Sequence, residues 1–317
     1  QQDNAIDPDI VATTRSGLTT TANNGSITLI TDGGNLTVAQ AVTAHGSGYI
    51  DLRTGGSGDI VIDNDGAATG GGAVISDISA GSDAGKLISG TGTVQLSAGG
   101  GSGGSITVTS ATDGVAEIDT SGDVFMEAGE NIGATDKRIE MNNVATLAGR
   151  TLSAGADNAI YLRRLGTSAA GDAITVGSVT LVGTPGSPVI SGLTTGGNNA
   201  PITLTTQGGN LIVTQDIQAD GNGNVDLRTA SGQAGSIQIN GAQIRSDASG
   251  DGTGTIQLVS GNAITTTDTT DVDEIATAGA VLLRAGGVIG STGNRIELAG
   301  DLTLSTISSD AQWIRQT

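Results

Sequence analysis

The sequence has no cysteine, four prolines, one histidine and only four aromatic residues among 317. Without cysteine there is no disulfide, no thiolate metal site and no cysteine nucleophile. A single imidazole excludes mechanisms that need two, and any multi-histidine metal centre. Basic residues are few, 13 Lys plus Arg against 32 Asp plus Glu, for a formal net charge of −19. That balance argues against nucleic acid and against anionic membranes, which proteins approach through Lys and Arg. No apolar run reaches the roughly 20 residues that span a bilayer, so no membrane insertion is expected. The opening residues, QQDNAIDPDI, carry neither the basic start nor the apolar core of a signal peptide. Absence of cysteine suits an extracellular bacterial protein and a cytosolic one alike.

What is present in excess is glycine, 53 residues, about twice the usual share. It does not fall at every third position, which excludes collagen. Disorder fits poorly, because Val, Ile and Leu recur in regular clusters. The clusters are ITLIT at 27–31, NLTV at 35–38, YIDLRT at 49–54, DIVID at 59–63, TVQLS at 93–97, SITVTS at 105–110 and RIEM at 138–141. ITVGSVTLV at 174–182, PITLTT at 201–206, NLIV at 210–213, NVDLRT at 224–229, SIQIN at 236–240, TIQLV at 255–259 and RIELAGDLTL at 295–304 continue them. Each alternates apolar and polar residues, the period of a strand with one buried face. Gly, Asn, Asp and Ser between them supply turns. The expected fold class is all-β.

The chain also repeats itself. GLTTTANNGSITLITDGGNLTV at 17–38 matches GLTTGGNNAPITLTTQGGNLIV at 192–213, and IDLRT at 50–54 matches VDLRT at 225–229. TGTVQL at 91–96 matches TGTIQL at 253–258, and IGATDKRIE at 132–140 matches IGSTGNRIE at 289–297. Two long internal repeats follow, copy one about 17–163 and copy two about 192–315, within one continuous β-solenoid over 1–317. Repetition of short strand-and-turn units points to a parallel β-helix with inward Val, Ile and Leu stacks. At about 20 residues per coil it has roughly 15 coils and a length of about 70 Å. A β-sandwich is the rival, and it would want longer strands and larger core residues.

Runs such as GSITLITDGGNLTV and GNGNVDLRTASGQAGSIQI resemble the shaft of filamentous-haemagglutinin-type exoproteins and related giant bacterial adhesins. The likeness covers nearly the whole chain and rests on composition and rhythm. It implies a right-handed β-helix, export to the cell surface or beyond, and a structural or adhesive role. The Asn-Pro-Asn type signature of that family's secretion domain is absent, so the resemblance is to shaft alone.

Candidate sites are sparse. His45 has Asp220 as its counterpart in copy two, which reads as a solvated turn. Asp51 with Arg53, and Asp226 with Arg228, lie two apart in a strand and so share a face, as do Arg138 with Glu140 and Arg295 with Glu297. Each reads as a surface ion pair worth under about 1 kcal/mol. Acidic turns offer oxygen ligands to Ca²⁺: Asp63 with Asp65, and the run Asp268, Asp271, Asp273 and Glu274. Neither completes an EF-hand pattern. Asn35 and Asn210, each after paired glycines, read as corner residues capping backbone groups. The glycines at 70–72 and 99–104 lack a phosphate-loop pattern. Thr265, Thr266, Thr267, Thr269 and Thr270 form an irregular threonine-rich row. Trp313, in AQWIRQT, matches Tyr161 in AIYLRRL.

The expected function is a structural segment of a secreted or cell-surface protein (adhesin shaft, stalk or extracellular filament) with no catalytic residues and no cofactor beyond Ca²⁺. Expected partners are neighbouring copies of the same repeat, stacked end to end, and host or matrix polysaccharide. The alternative is a polysaccharide-binding adhesin or a β-helical lyase or hydrolase. An adhesin tip would use the copy-one insertion around 66–88, projecting from the rod.

Overall fold

A computed structural model describes residues 17–22, 24–63, 73–75, 86–101, 103–109, 114–154, 158–166, 172–183, 185–197, 199–230, 235–246, 252–269 and 272–317. These residues form a parallel β-solenoid of short strands with one 3₁₀ turn at Gly99–Gly101. The alternation read from sequence is the reason. At Ile202–Thr206 and Val225–Thr229 the first, third and fifth residues, Ile202, Leu204 and Thr206 and then Val225, Leu227 and Thr229, are buried, while Thr205, Asp226 and Arg228 between them are more exposed. Copies of one residue type then stack on each other from coil to coil.

One long sheet has eleven strands, from Leu18–Thr19 through Val42–Ala44, Leu87–Ser89, Ile118–Asp119, Ile139–Asn142 and Ile160–Arg164 to Thr303–Ser308. Its inward stacks include Leu162, Leu204, Leu227, Leu258 and Leu283 in successive register. All five are at most 1% exposed. Fully burying one such side chain is worth about 1.5–3 kcal/mol. A second face begins with Ile27–Thr31, Ile50–Thr54, Val94–Ala98, Asp123–Ala128 and Thr146–Thr151. The third holds Leu36–Val38, Ile60–Ile62 and Ile106–Val108.

The coils are longer than the 20 residues expected. Corner contacts join residues 23 to 31 apart in sequence, and two excursions lengthen the path further. Eleven strands at about 4.8 Å give a stack about 50 Å long, not 70 Å. The first excursion lies in the copy-one insertion. Its described strand, Ala73–Ile75, pairs in parallel with Leu36–Val38 on the side away from Ile60–Ile62. The insertion therefore returns across two coils and adds a strand to the third face. The rest of the insertion up to residue 85 lies outside the described residues.

The second excursion falls where the copies meet. ITVGSVTLV reads as one strand, but it divides at Gly177 into Ile174–Val176 and Ser178–Thr180. Ser178–Thr180 then pairs antiparallel with Val189–Ser191. This hairpin lies against the outer side of the second face, where Val179, Leu181 and Ile190 cover Phe125 and Ala148.

The hairpin also marks a change of phase. The strand Thr146–Thr151 pairs upward with two strands, Ile174–Val176 at Thr146 and Leu147, and Leu193–Thr194 at Gly149 and Arg150. Conversely, Ile160–Arg164 rests on two elements, the Ile132 bridge and Ile139–Asn142. A flat face of copy one thus becomes a corner of copy two, and a corner becomes a flat face. The triangular section turns by half a face while the sheets continue. Four inward positions adapt to the change. Gly149 takes an inward place where a Cβ would stand 3.4 Å from the Leu193 side chain. Met126 and Met141, the only two methionines, fill the neighbouring coils, as suits an unbranched, adaptable side chain. Arg164 occupies the inward row above Met141 and is 2% exposed.

Corners are closed by backbone geometry and by side-chain amides. Gly209 has φ +72°, and a Cβ there would meet the Asp172 carbonyl oxygen at 1.6 Å, so only glycine fits. Beside it, the Asn210 side-chain oxygen accepts the Ser236 N–H of the next coil at 2.9 Å. Asn35 does the same for Asp59 in copy one, also at 2.9 Å. Asn24 and Asn199, at left-handed φ of 65° and 68°, accept the N–H groups of Ser47 and Asn222. Corner asparagines therefore cap, as expected, and the N–H they cap lies one coil on.

Candidate functional site

The recurring Asp-Leu-Arg motif places its charged side chains together on the outside. Asp51 receives two bonds from Arg53, Nε to Oδ1 at 2.8 Å and Nη2 to Oδ2 at 2.7 Å. Asp226 receives Arg228 Nε at 2.7 Å. The Arg228 guanidinium is held above its ordinary pKa, chiefly by this hydrogen bond and against some burial. The two motifs differ in setting. Arg228 is nearly half exposed, whereas Asp51 is buried. Asp51, Arg53, Gln95, Phe125, Glu127 and Leu181 line a cleft of about 160 Å³ at the hairpin. Gln95 holds the hairpin through both amide atoms, donating to the Val182 carbonyl at 2.6 Å and accepting its N–H at 3.1 Å.

Glu140 and Glu297 are not on the surface, contrary to the ion-pair reading. They are at most 6% exposed. Each takes part in a stack that both copies share. The Glu117 carboxylate accepts the Glu140 N–H at 2.6 Å, and Glu140 binds Arg163 of the next coil at 2.9 Å. The Glu274 carboxylate accepts the Glu297 N–H at 2.7 Å, and Glu297 binds Arg315 at 3.1 Å. Burial pushes the Glu274 carboxyl above its ordinary pKa, and the nearby Glu297 charge adds to that. Hydrogen bonds from backbone N–H groups and Thr266 oppose it. Arg138 donates to the Thr205 hydroxyl at 3.2 Å.

The calcium candidates are scattered. Asp63 is fully buried and accepts the Thr109 hydroxyl at 2.8 Å. Asp65 and Asp271 lie outside the described residues. Asp268 lines a polar cleft with Arg295, Glu297 and Arg315. Asp273 accepts the Thr317 hydroxyl at 2.7 Å, while the neighbouring Glu274 is engaged as above. Among the described residues, no group of three or more Asp, Glu or His is placed to hold a metal ion. His45 is exposed, and its N–H donates to Thr20 Oγ1 at 3.0 Å. The Asp220 N–H donates equivalently to Thr195 at 2.9 Å. The position serves the turn through its backbone.

One charged pair escapes the sequence reading altogether. Arg164 donates to the Asp172 carboxylate at 2.6 Å and to its carbonyl at 3.0 Å, from within the inward row. The tandem RR of AIYLRRL was the available signal. Alternation alone assigns one of the two arginines to the inside.

Fold and side-chain placement together define the class: an all-β, repetitive parallel solenoid with a scaffold's architecture. No protein-family model matches the chain, and neither the curated proteins nor the solved structures give a match.

Proposed function

We propose that this chain is a stiff spacer in the shaft of a secreted or cell-surface repetitive protein, with no chemistry of its own. The observation that carries this reading is continuity. Parallel pairing and inward aliphatic stacks run from Leu18 to Ser308, across the change of phase. Corner side chains add bonds along the same axis, so bending the rod strains both sets together. The charged groups fit the same role, since the buried carboxylates of Asp63, Glu117, Glu140, Glu274 and Glu297 are each bonded to a neighbouring coil. An acidic surface keeps a long rod soluble and spaced from its neighbours. Among the described residues, no helix is long and apolar enough to cross a membrane.

The test is immunogold labelling of intact source cells with antibodies against this segment. Gold on the outer surface and standing off the envelope is expected. Labelling only after permeabilisation would overturn the reading.

A further inference from the structure

Two of the four aromatic residues share one register. Tyr161 and Trp313 each follow a bridge from the coil below, and each N–H donates to that bridge residue's carbonyl: Tyr161 to Ile132 at 2.8 Å and Trp313 to Ile289 at 2.7 Å. The carbonyls of Tyr161 and Trp313 in turn lie over a glycine at φ +69°, Gly133 and Gly290 respectively. Both rings are half-buried and lie outside the core stacks. Neither the Tyr161 hydroxyl nor the Trp313 indole N–H has a hydrogen-bond partner among the described residues. In a shaft that dispenses almost wholly with aromatics, this placement invites a ligand.

Around Tyr161 the setting is a groove of about 330 Å³ that also involves Ser105, Thr107, Asn131, Thr135 and Pro201. That volume is within the roughly 300–1,000 Å³ of small-molecule clefts. Among the described residues, none that lines it is charged, although the chain carries 45 acidic and basic residues. Asn131 uses its side-chain oxygen to accept the Ala159 N–H at 2.9 Å, which leaves its NH₂ facing no partner among the described residues. The hydroxyls of Thr107 and Thr135 are likewise without one. An aromatic face beside several neutral donors and acceptors matches a sugar ring, which has an apolar C–H face and a hydroxyl rim. The missing cations and the net charge of −19 disfavour an acidic polymer.

We propose that the Tyr161 groove binds neutral polysaccharide, one or two sugar rings stacking on the phenol. Copy two keeps Trp313, Thr265 and Thr292 at the matching positions but has Val288 where copy one has Asn131, so its site relies more on stacking. The two rings lie five coils apart, about 24 Å along the axis. The change of phase turns them away from a common line, so they engage separate polymer chains.

The test is affinity electrophoresis of the full chain in native gels containing galactomannan, laminarin or hydroxyethyl-cellulose, with alginate as the acidic control. Retardation by at least one neutral polymer and none by alginate is expected. Tyr161→Ala weakens it about tenfold, whereas Tyr161→Phe keeps most of it. Thr135→Ala, at an exposed position, gives an intermediate loss and guards against a folding defect in the first variant. Trp313, the only tryptophan, reports copy two separately through its fluorescence. No retardation by any neutral polymer, retardation by alginate alone, or a Tyr161→Ala variant that binds like the parent would overturn the proposal. None of these results bears on the spacer reading, which surface labelling decides.

Discussion

Removing Arg164 tests whether the two repeat copies form one continuous core. Its guanidinium is 2% exposed and makes two charge-assisted bonds to Asp172, while the Asp172 side chain keeps 23% of its exposure. Breaking a buried ion pair by deleting one partner costs about 3–5 kcal/mol. Because Asp172 can regain some water, Arg164→Ala belongs near the lower end, about 3 kcal/mol. Arg164→Met keeps most of the stem's packing and with Asp172→Asn removes both charges. The double variant should recover about 2 kcal/mol of the loss, the coupling typical of contacting residues. Hydrogen exchange read by mass spectrometry is the assay, since global unfolding of repeat arrays is often not two-state. A loss of 3 kcal/mol makes opening more than about a hundredfold more frequent. The strands Ile139–Asn142 and Ile202–Thr206, on either side of Arg164, should show it together. A change under about 1 kcal/mol, or one confined to the segment at Asp172, would refute the idea that Arg164 ties the copies.

Three further outcomes follow from the same geometry. Asn210→Ala strands the buried Ser236 N–H and should cost about 1–3 kcal/mol, whereas Asn210→Asp keeps the acceptor; urea denaturation of both variants checks this. Replacing the hairpin strands Ser178–Thr180 and Val189–Ser191 with a short Gly-Ser link uncovers Phe125 and Ala148. Binding of an apolar dye should rise while the far-ultraviolet dichroism of the solenoid persists. Glu274 has its carboxyl pKa raised by burial, so the folded chain retains that proton to higher pH than the unfolded chain. Its contribution to stability falls as pH rises from the ordinary Glu value through the raised one. Glu274→Gln should therefore gain in melting temperature relative to the parent as pH increases across that window; a difference independent of pH would contradict this.

The sequence made the strands legible because a solenoid wall imposes a period of two on each face. ITLIT, NLTV and TIQLV each contain a strand at the place read. Two-residue strands such as Ile217–Gln218 and Ile275–Ala276 are too short to show that period. Corner asparagines were readable because their chemistry is local. Register between coils was not readable, since it depends on how many residues each turn consumes. That register decides that Glu140 meets Arg163 and that Arg164 turns inward. The hairpin left a signal that the sequence reading passed over: in ITVGSVTLV the apolar positions slip by one at Gly177–Ser178, from Ile174 and Val176 to Val179 and Leu181, and that is where the strand divides. Tyr161 and Trp313 were aligned from sequence, but the groove at Tyr161, uncharged in its described lining, comes from four successive coils.

The absence of native cysteine makes the most direct test simple. Spin labels at Thr19→Cys and Ile307→Cys would sit on the first and last strands of the eleven-stranded sheet. Ten steps of about 4.8 Å place them about 50 Å apart, within range of pulsed dipolar spectroscopy. A stiff spacer gives one narrow distance distribution near that value. A broad distribution, or a mean far below it, would show that the coils do not stack into a rigid rod and would remove the basis of the proposed function.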